Sequence, residues 1–97
     1  MSVFETLGEE IGANVSVIAV DLAPGEGPAL HRHTYPEVFV VLDGQATFTL
    51  DGEQRVVSGG ECVVAPRGVA HRFVNTGSGR LRQVNIHESP RFETEWL

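Results

Sequence analysis

From about residue 15 onward, turn residues break the chain roughly every eight to twelve positions into short stretches of strand formers, a rhythm that suits a β-sandwich or barrel. The clearest stretch is 45–50, where Ala46, Phe48 and Leu50 alternate with Gln45, Thr47 and Thr49. That period of two belongs to a strand buried on one face. The pattern predicts further strands over 15–22, 29–34, 38–42, 55–57, 62–65, 69–75 and 81–87. Asp43-Gly44 and Asp51-Gly52 both carry the dipeptide that closes tight hairpins. One helix is predicted, over 4–11, and the segment 89–97, which holds the single Trp, leaves the strand pattern. The fold class read from this is all-β and antiparallel.

With 97 residues there is room for one domain, 1–97, and a modest core. No apolar run approaches the ~20 residues that span a bilayer. The start lacks the basic and apolar regions of a secretion signal, and a single cysteine, Cys62, forms no internal disulfide, so the expected location is cytoplasmic. Thirteen acids stand against seven bases, for a net charge of −6. All seven bases are Arg, and they are scattered. Electrostatic binding of nucleic acid or of an anionic membrane is therefore not expected, and without Lys there is no Schiff-base chemistry.

Four residues have the character of metal ligands: His31, His33, Glu37 and His71. Two positions apart on a strand, His31 and His33 project from one face. Glu37 joins them if the strand resumes beyond Tyr35-Pro36, and His71 reaches them only if distant strands meet. A lone His is most often an ordinary polar residue, but two imidazoles buried on one face need partners. Three imidazoles and a carboxylate suit one divalent transition metal, Fe, Mn, Ni, Co or Zn, and suit neither Ca(II) nor Cu(I).

The spacing around these residues resembles the two motifs of the cupin superfamily. Gly25, five residues, His31-Arg32-His33, three residues, Glu37, six residues and Gly44 follow the first motif over 25–44. Gly60, five residues, Pro66-Arg67-Gly68, two residues, His71, three residues and Asn75 follow the second over 60–75. Ten specified positions match without a gap, and the short spacer resembles compact single-domain microbial cupins. The resemblance implies a double-stranded β-helix, or jelly-roll, barrel with a metal near one mouth, held by His31, His33, Glu37 and His71. It also implies metal-dependent chemistry on a small organic substrate, with dioxygenase-like oxidoreductase activity favoured. A non-catalytic module that binds or senses a small metabolite, and a metal-dependent isomerase or lyase acting on sugars, are the alternatives.

Parity extends the reading to the lining. If His31 and His33 face in, so do Phe39, Val41, Ala46, Phe48, Leu50, Val63, Ala65 and Phe73, while Cys62 faces away. Tyr35 reads as a rim aromatic, or as a group that hydrogen-bonds a substrate at the mouth. Arg67 and Arg72 read as surface charges, one of which could reach an anionic substrate. His87 is open: with Val84 and Ile86 inward it faces out, and with Gln83 and Asn85 inward it lies in the pocket. Val38, Val40, Leu42 and Val64 are apolar on the opposite face, which a single layer leaves bare. The chain is therefore expected to form a homodimer, with the tail 90–97 covering part of that face.

Overall fold

The computed structural model describes residues 2–97. In chain order the described residues form β1 (Ser2–Thr6), α1 (Gly8–Ile11), β2 (Ser16–Leu22), β3 (His31–Arg32), β4 (Glu37–Asp43), β5 (Gln45–Leu50), β6 (Glu53–Ser58), β7 (Cys62–Ala65), β8 (His71–Asn75), β9 (Leu81–His87) and β10 (Glu95–Trp96). They build two five-stranded sheets, in the orders β1-β2-β9-β4-β7 and β10-β3-β8-β5-β6. Every pairing is antiparallel. Among the described residues no helix is long and apolar enough to cross a membrane.

The two Asp-Gly turns do different work. Asp51 and Gly52 both have positive φ, 51° and 82°, and join β5 to β6 as a true hairpin. Asp43-Gly44 was also expected to close a hairpin, but β4 and β5 lie in different sheets. The turn is a corner at which the chain crosses the barrel, next to a register shift between Val41 and Asp43. Gly44 has φ 92° there, and a Cβ would run into the Arg80 carbonyl. Asn75 staples the next crossing. Its side-chain amide donates to the Leu22 and Gly79 carbonyls at 3.0 and 2.8 Å and accepts from the Gly77 N–H at 2.9 Å.

The helix expected over 4–11 is mostly absent. Residues 2–6 pair with β2 as an edge strand, and the helix keeps only Gly8–Ile11, ended by Gly12 in the left-handed region. The stretch has helix formers such as Leu7, Glu9 and Glu10 but is too short to hold a helix unaided, and pairing with a long neighbouring strand satisfies more backbone groups. The tail is also more ordered than expected, since β10 pairs with β3.

Between the sheets lies the core: Leu22, Phe39, Val41, Ala46, Phe48, Val57, Val63, Ala65, Phe73 and Leu81, all buried. Seven of the eight residues placed inside by parity are in it, and Leu50 packs against it half-buried. Three rings form its centre, with Phe39–Phe48, Phe48–Phe73 and Phe39–Phe73 centroids 4.9, 5.4 and 5.7 Å apart. Leu22, Val57 and Leu81 join from strands whose facing the sequence left undecided.

Candidate metal centre

Two cross-strand pairs frame the site, one on each sheet. His31 and His71 are register partners across β3 and β8, and Glu37 and His87 are partners across β4 and β9. His33, two residues beyond His31, sits between them. All five side chains are buried. His71 reaches the others because β8 lies next to β3, even though almost forty residues separate them in sequence. One potential ligand atom from each of His31, His33, Glu37 and His71 lies within 4.8 Å of the rest.

Hydrogen bonds fix which nitrogen of each ring faces inward. The Nδ1 atoms of His31, His33 and His71 lie 2.7, 2.8 and 2.9 Å from the carbonyl oxygens of Ala29, Glu93 and Val69. A carbonyl only accepts, so each Nδ1 carries the proton and each Nε2 keeps its lone pair. These lone pairs converge on Glu37. Its Oε1 lies 2.9 Å from His33 Nε2 and 3.3 Å from His71 Nε2. His33 Nε2 is fully buried and has no hydrogen-bond partner, because a carboxylate oxygen facing an imidazole lone pair makes no hydrogen bond. A cation among these atoms satisfies all of them, and the donor set fits a divalent transition metal. A proton is the other remedy. Burial works against charge on His33, but Glu37 and the Glu93 carbonyl outweigh it and raise its pKa. His31 goes the other way, lowered by burial. Glu37 also meets a burial penalty, yet His87, and His33 and His71 where a proton stands in for the cation, donate to its carboxylate and hold the carboxyl well below the usual range.

His87 has the opposite tautomer. Its Nδ1 lies 2.7 Å from the Tyr35 hydroxyl, which accepts the Glu93 N–H at 3.2 Å. Glu37 Oε2, a carboxylate oxygen that only accepts, lies 3.1 Å from His87 Nε2, so the ring proton of the neutral imidazole is on Nε2 and Nδ1 accepts the phenol proton. Burial raises the Tyr35 pKa and keeps the proton in place. His87 Nε2 thus directs its proton at Glu37 Oε2. The ring has no free lone pair for a metal. It holds the second carboxylate oxygen and leaves Oε1 to the ligand cluster.

This settles the alternative left open for β9: Gln83, Asn85 and His87 face in, and Val84 and Ile86 face out and are half-buried. The interior polar row is linked within itself, since Gln83 Nε2 donates to Asn85 Oδ1 at 2.8 Å. Tyr35 is not at the rim. It is buried, stacked on His33 with ring centroids 4.9 Å apart, and its hydroxyl is engaged by His87 and Glu93. Arg67, Arg72 and Cys62 are exposed.

The residues that sequence reasoning missed lie in the tail. Glu93 orients His33 and Tyr35 through its backbone. Trp96 covers His31 with centroids 4.9 Å apart, and Phe92 covers His87 at 4.9 Å. The tail thus walls the site, where it was expected to cover the outer sheet face. Its aromatic content, Phe92 and Trp96 at the end of an otherwise polar segment, was the available signal. Above the ligand cluster is a cavity of about 320 Å³. Ile18, Val20, Leu22, Phe92 and Trp96 form its apolar wall, and His31, His33, Glu37, Asn85 and His87 its polar floor.

Over 70 residues the chain is 30% identical to a gentisate 1,2-dioxygenase of Ralstonia sp, covering 71% of this chain and 20% of that protein. It is 39% identical over 64 residues to a cupin-domain-containing oxidoreductase of Aspergillus ruber (strain CBS 135680), covering 64% of this chain and 31% of the relative. The chain thus spans a fifth to a third of the length of these relatives. Among solved structures it superimposes on a recombinant oxalate oxidase in complex with glycolate with a TM-score of 0.84, at 27% identity, over 96% of this chain and 53% of that one. Residues 19–87, well over half the chain and including every ligand candidate, match the family model described as the cupin domain, and the protein belongs to that family.

Proposed function

We propose that this chain is a metal-dependent oxidoreductase, dioxygenase-like in its chemistry, acting on a small organic substrate. The observation that carries the reading is the convergence of three Nε2 lone pairs and Glu37 Oε1 beneath a cavity large enough for a small molecule. A bound Fe, Mn, Ni, Co or Zn ion would supply Lewis acidity, and the redox-active ones would also supply electron transfer. His31, His33, Glu37 and His71 would hold it. His87 and Tyr35 keep Glu37 oriented and ionised, Asn85 faces the cavity with its amide, and Phe92 and Trp96 of the tail supply an apolar wall. The resemblance to a gentisate dioxygenase and to an oxidoreductase supports this class over an isomerase or lyase. The lone exposed Cys62 suits a reducing compartment, and we place the protein in the cytoplasm.

The test is oxygen consumption by Fe- or Mn-loaded protein offered a panel of vicinal diols, β-diketones and α-keto acids. Uptake that depends on one substrate class, and that is absent from protein loaded with Zn, is the expected result. Metal and ligand bound with no oxygen consumed and no product formed would overturn the enzymatic reading in favour of a binding module.

We also propose that two copies pair through the outer face of the β1-β2-β9-β4-β7 sheet. Register aligns Val17, Ile86, Val38 and Val64 in one row, and Phe4, Ala19, Val84 and Val40 in the next. Phe4 and Val64 are more than half exposed, and the four-residue α1 is too short to cover so wide a face. Such a contiguous apolar surface calls for a second layer, and an isologous pair supplies one. Light scattering is expected to give about twice the 10.5 kDa chain mass. Val84→Asp is expected to shift it to the monomer with the β-sheet spectrum retained, and a wild-type monomer at high micromolar concentration would overturn the pairing.

A further inference from the structure

Among the described residues the cavity is built without a cationic side chain. Its acidic members are Glu37 and, at the edge, Glu5. The Arg residues are engaged or point elsewhere: Arg32 pairs with Glu95, Arg80 and Arg82 with Asp21, and Arg91 with Glu9, while Arg55, Arg67 and Arg72 are exposed and outside the lining. The fourth histidine is no substitute, because both nitrogens of His87 are committed to Tyr35 and Glu37. Among the described residues, none lining the cavity adds a positive charge to that of the metal, and Glu37 offsets half of the metal's charge. A divalent ion with one carboxylate and three neutral imidazoles carries a net +1.

From this balance we infer that the cavity selects monoanionic, two-oxygen chelators with an apolar body, such as enolates of β-diketones, and discriminates against dianions. The inference rests on the metal reading above. A monoanion brings the buried centre to zero charge. A dianion leaves an uncompensated negative charge against Ile18, Val20, Phe92 and Trp96, with Glu5 adding repulsion at the edge, and burying such a charge is costly. The polar floor adds one further element. Asn85 Oδ1 accepts from Gln83, which leaves its amide N–H groups for a ligand oxygen. The remaining wall is apolar and accepts the body of the ligand.

The experiment uses Zn-loaded protein, redox-inert so that binding is read without turnover, and measures affinity calorimetrically at neutral pH for benzoylacetone, acetylacetone and oxalate. Zinc content is determined first, and a chain that holds no zinc overturns this inference together with the metal reading. With zinc bound, benzoylacetone is expected to bind tighter than oxalate by about tenfold or more, equivalent to ~1.4 kcal/mol. It is expected to release one proton to the buffer as the enol becomes the enolate. Acetylacetone, which chelates alike but lacks the ring, is expected to bind more weakly than benzoylacetone. Trp96→Arg, at an exposed position on the cavity wall, is expected to raise oxalate affinity and lower that for benzoylacetone. Oxalate binding as tightly as benzoylacetone in the wild type, or unmoved by Trp96→Arg, would overturn the inference while leaving the metal site intact.

Discussion

His71→Ala is expected to weaken divalent metal binding by roughly 100-fold or more, beyond the range that loss of a supporting partner produces. Of the four ligand residues, His71 alone comes from the second motif, and it holds the others in one place by pairing with His31 across β3 and β8. His87→Ala tests the tautomer assignment in the same titration. Because His87 grips Glu37 Oε2 and offers no lone pair, its loss should cost about 10–100-fold, less than the loss of a ligand. Competition with a chromophoric chelator would measure both. Equal affinities for wild type and His71→Ala would contradict the ligand assignment. The pH dependence has a defined sign, since a ligating Nε2 must be free of protons. His31 stays neutral to below the ordinary value of 6.5, whereas His33 takes up its proton above it. Affinity should therefore begin to fall above pH 6.5 as the pH is lowered, with His33 lost before His31.

The four-residue cluster of candidate ligands was legible in the sequence because the spacing of His31, His33 and Glu37 and the turn chemistry of Gly68 and Asn75 are local. The core was legible for the same reason. A period of two assigns Phe39, Val41, Ala46 and Phe48 to one face without reference to any partner strand. What local pattern could not supply was which face each strand turns inward when both faces are mixed. On β9, apolar Val84 and Ile86 competed with polar Asn85 and His87. The polar row faces in with His87 held by Glu37 and Tyr35 and with Gln83 donating to Asn85 Oδ1, and the outward valine and isoleucine lie in a wide apolar sheet face. The Asp43-Gly44 corner was misread as a hairpin because its dipeptide chemistry is the same whether the chain reverses within a sheet or crosses to the other one. The role of the tail depends on long-range contacts, such as His33 Nδ1 with the Glu93 carbonyl, and its aromatic residues mark it for burial without marking against what.

Phe48→Ala is expected to destabilise the fold by about 3–5 kcal/mol, a large part of the ~5–15 kcal/mol typical of a domain. Phe48 is fully buried and touches both other core rings, so the space it leaves lies between two sheets that are each held by their own ladders and cannot easily collapse into it. For a chain of this length the corresponding loss in Tm is of the order of 20 °C. Removing the metal should act differently. The ten residues of the core pack without any ligand atom among them, so chelation should lower Tm only by the mass action of the lost ion and leave the β-sheet circular dichroism unchanged. A metal-dependent mini-domain would behave in reverse, unfolding on chelation. If the chelated chain gave a random-coil spectrum while Phe48→Ala shifted Tm by only a few degrees, the metal and not the aromatic core would be what holds the two sheets together.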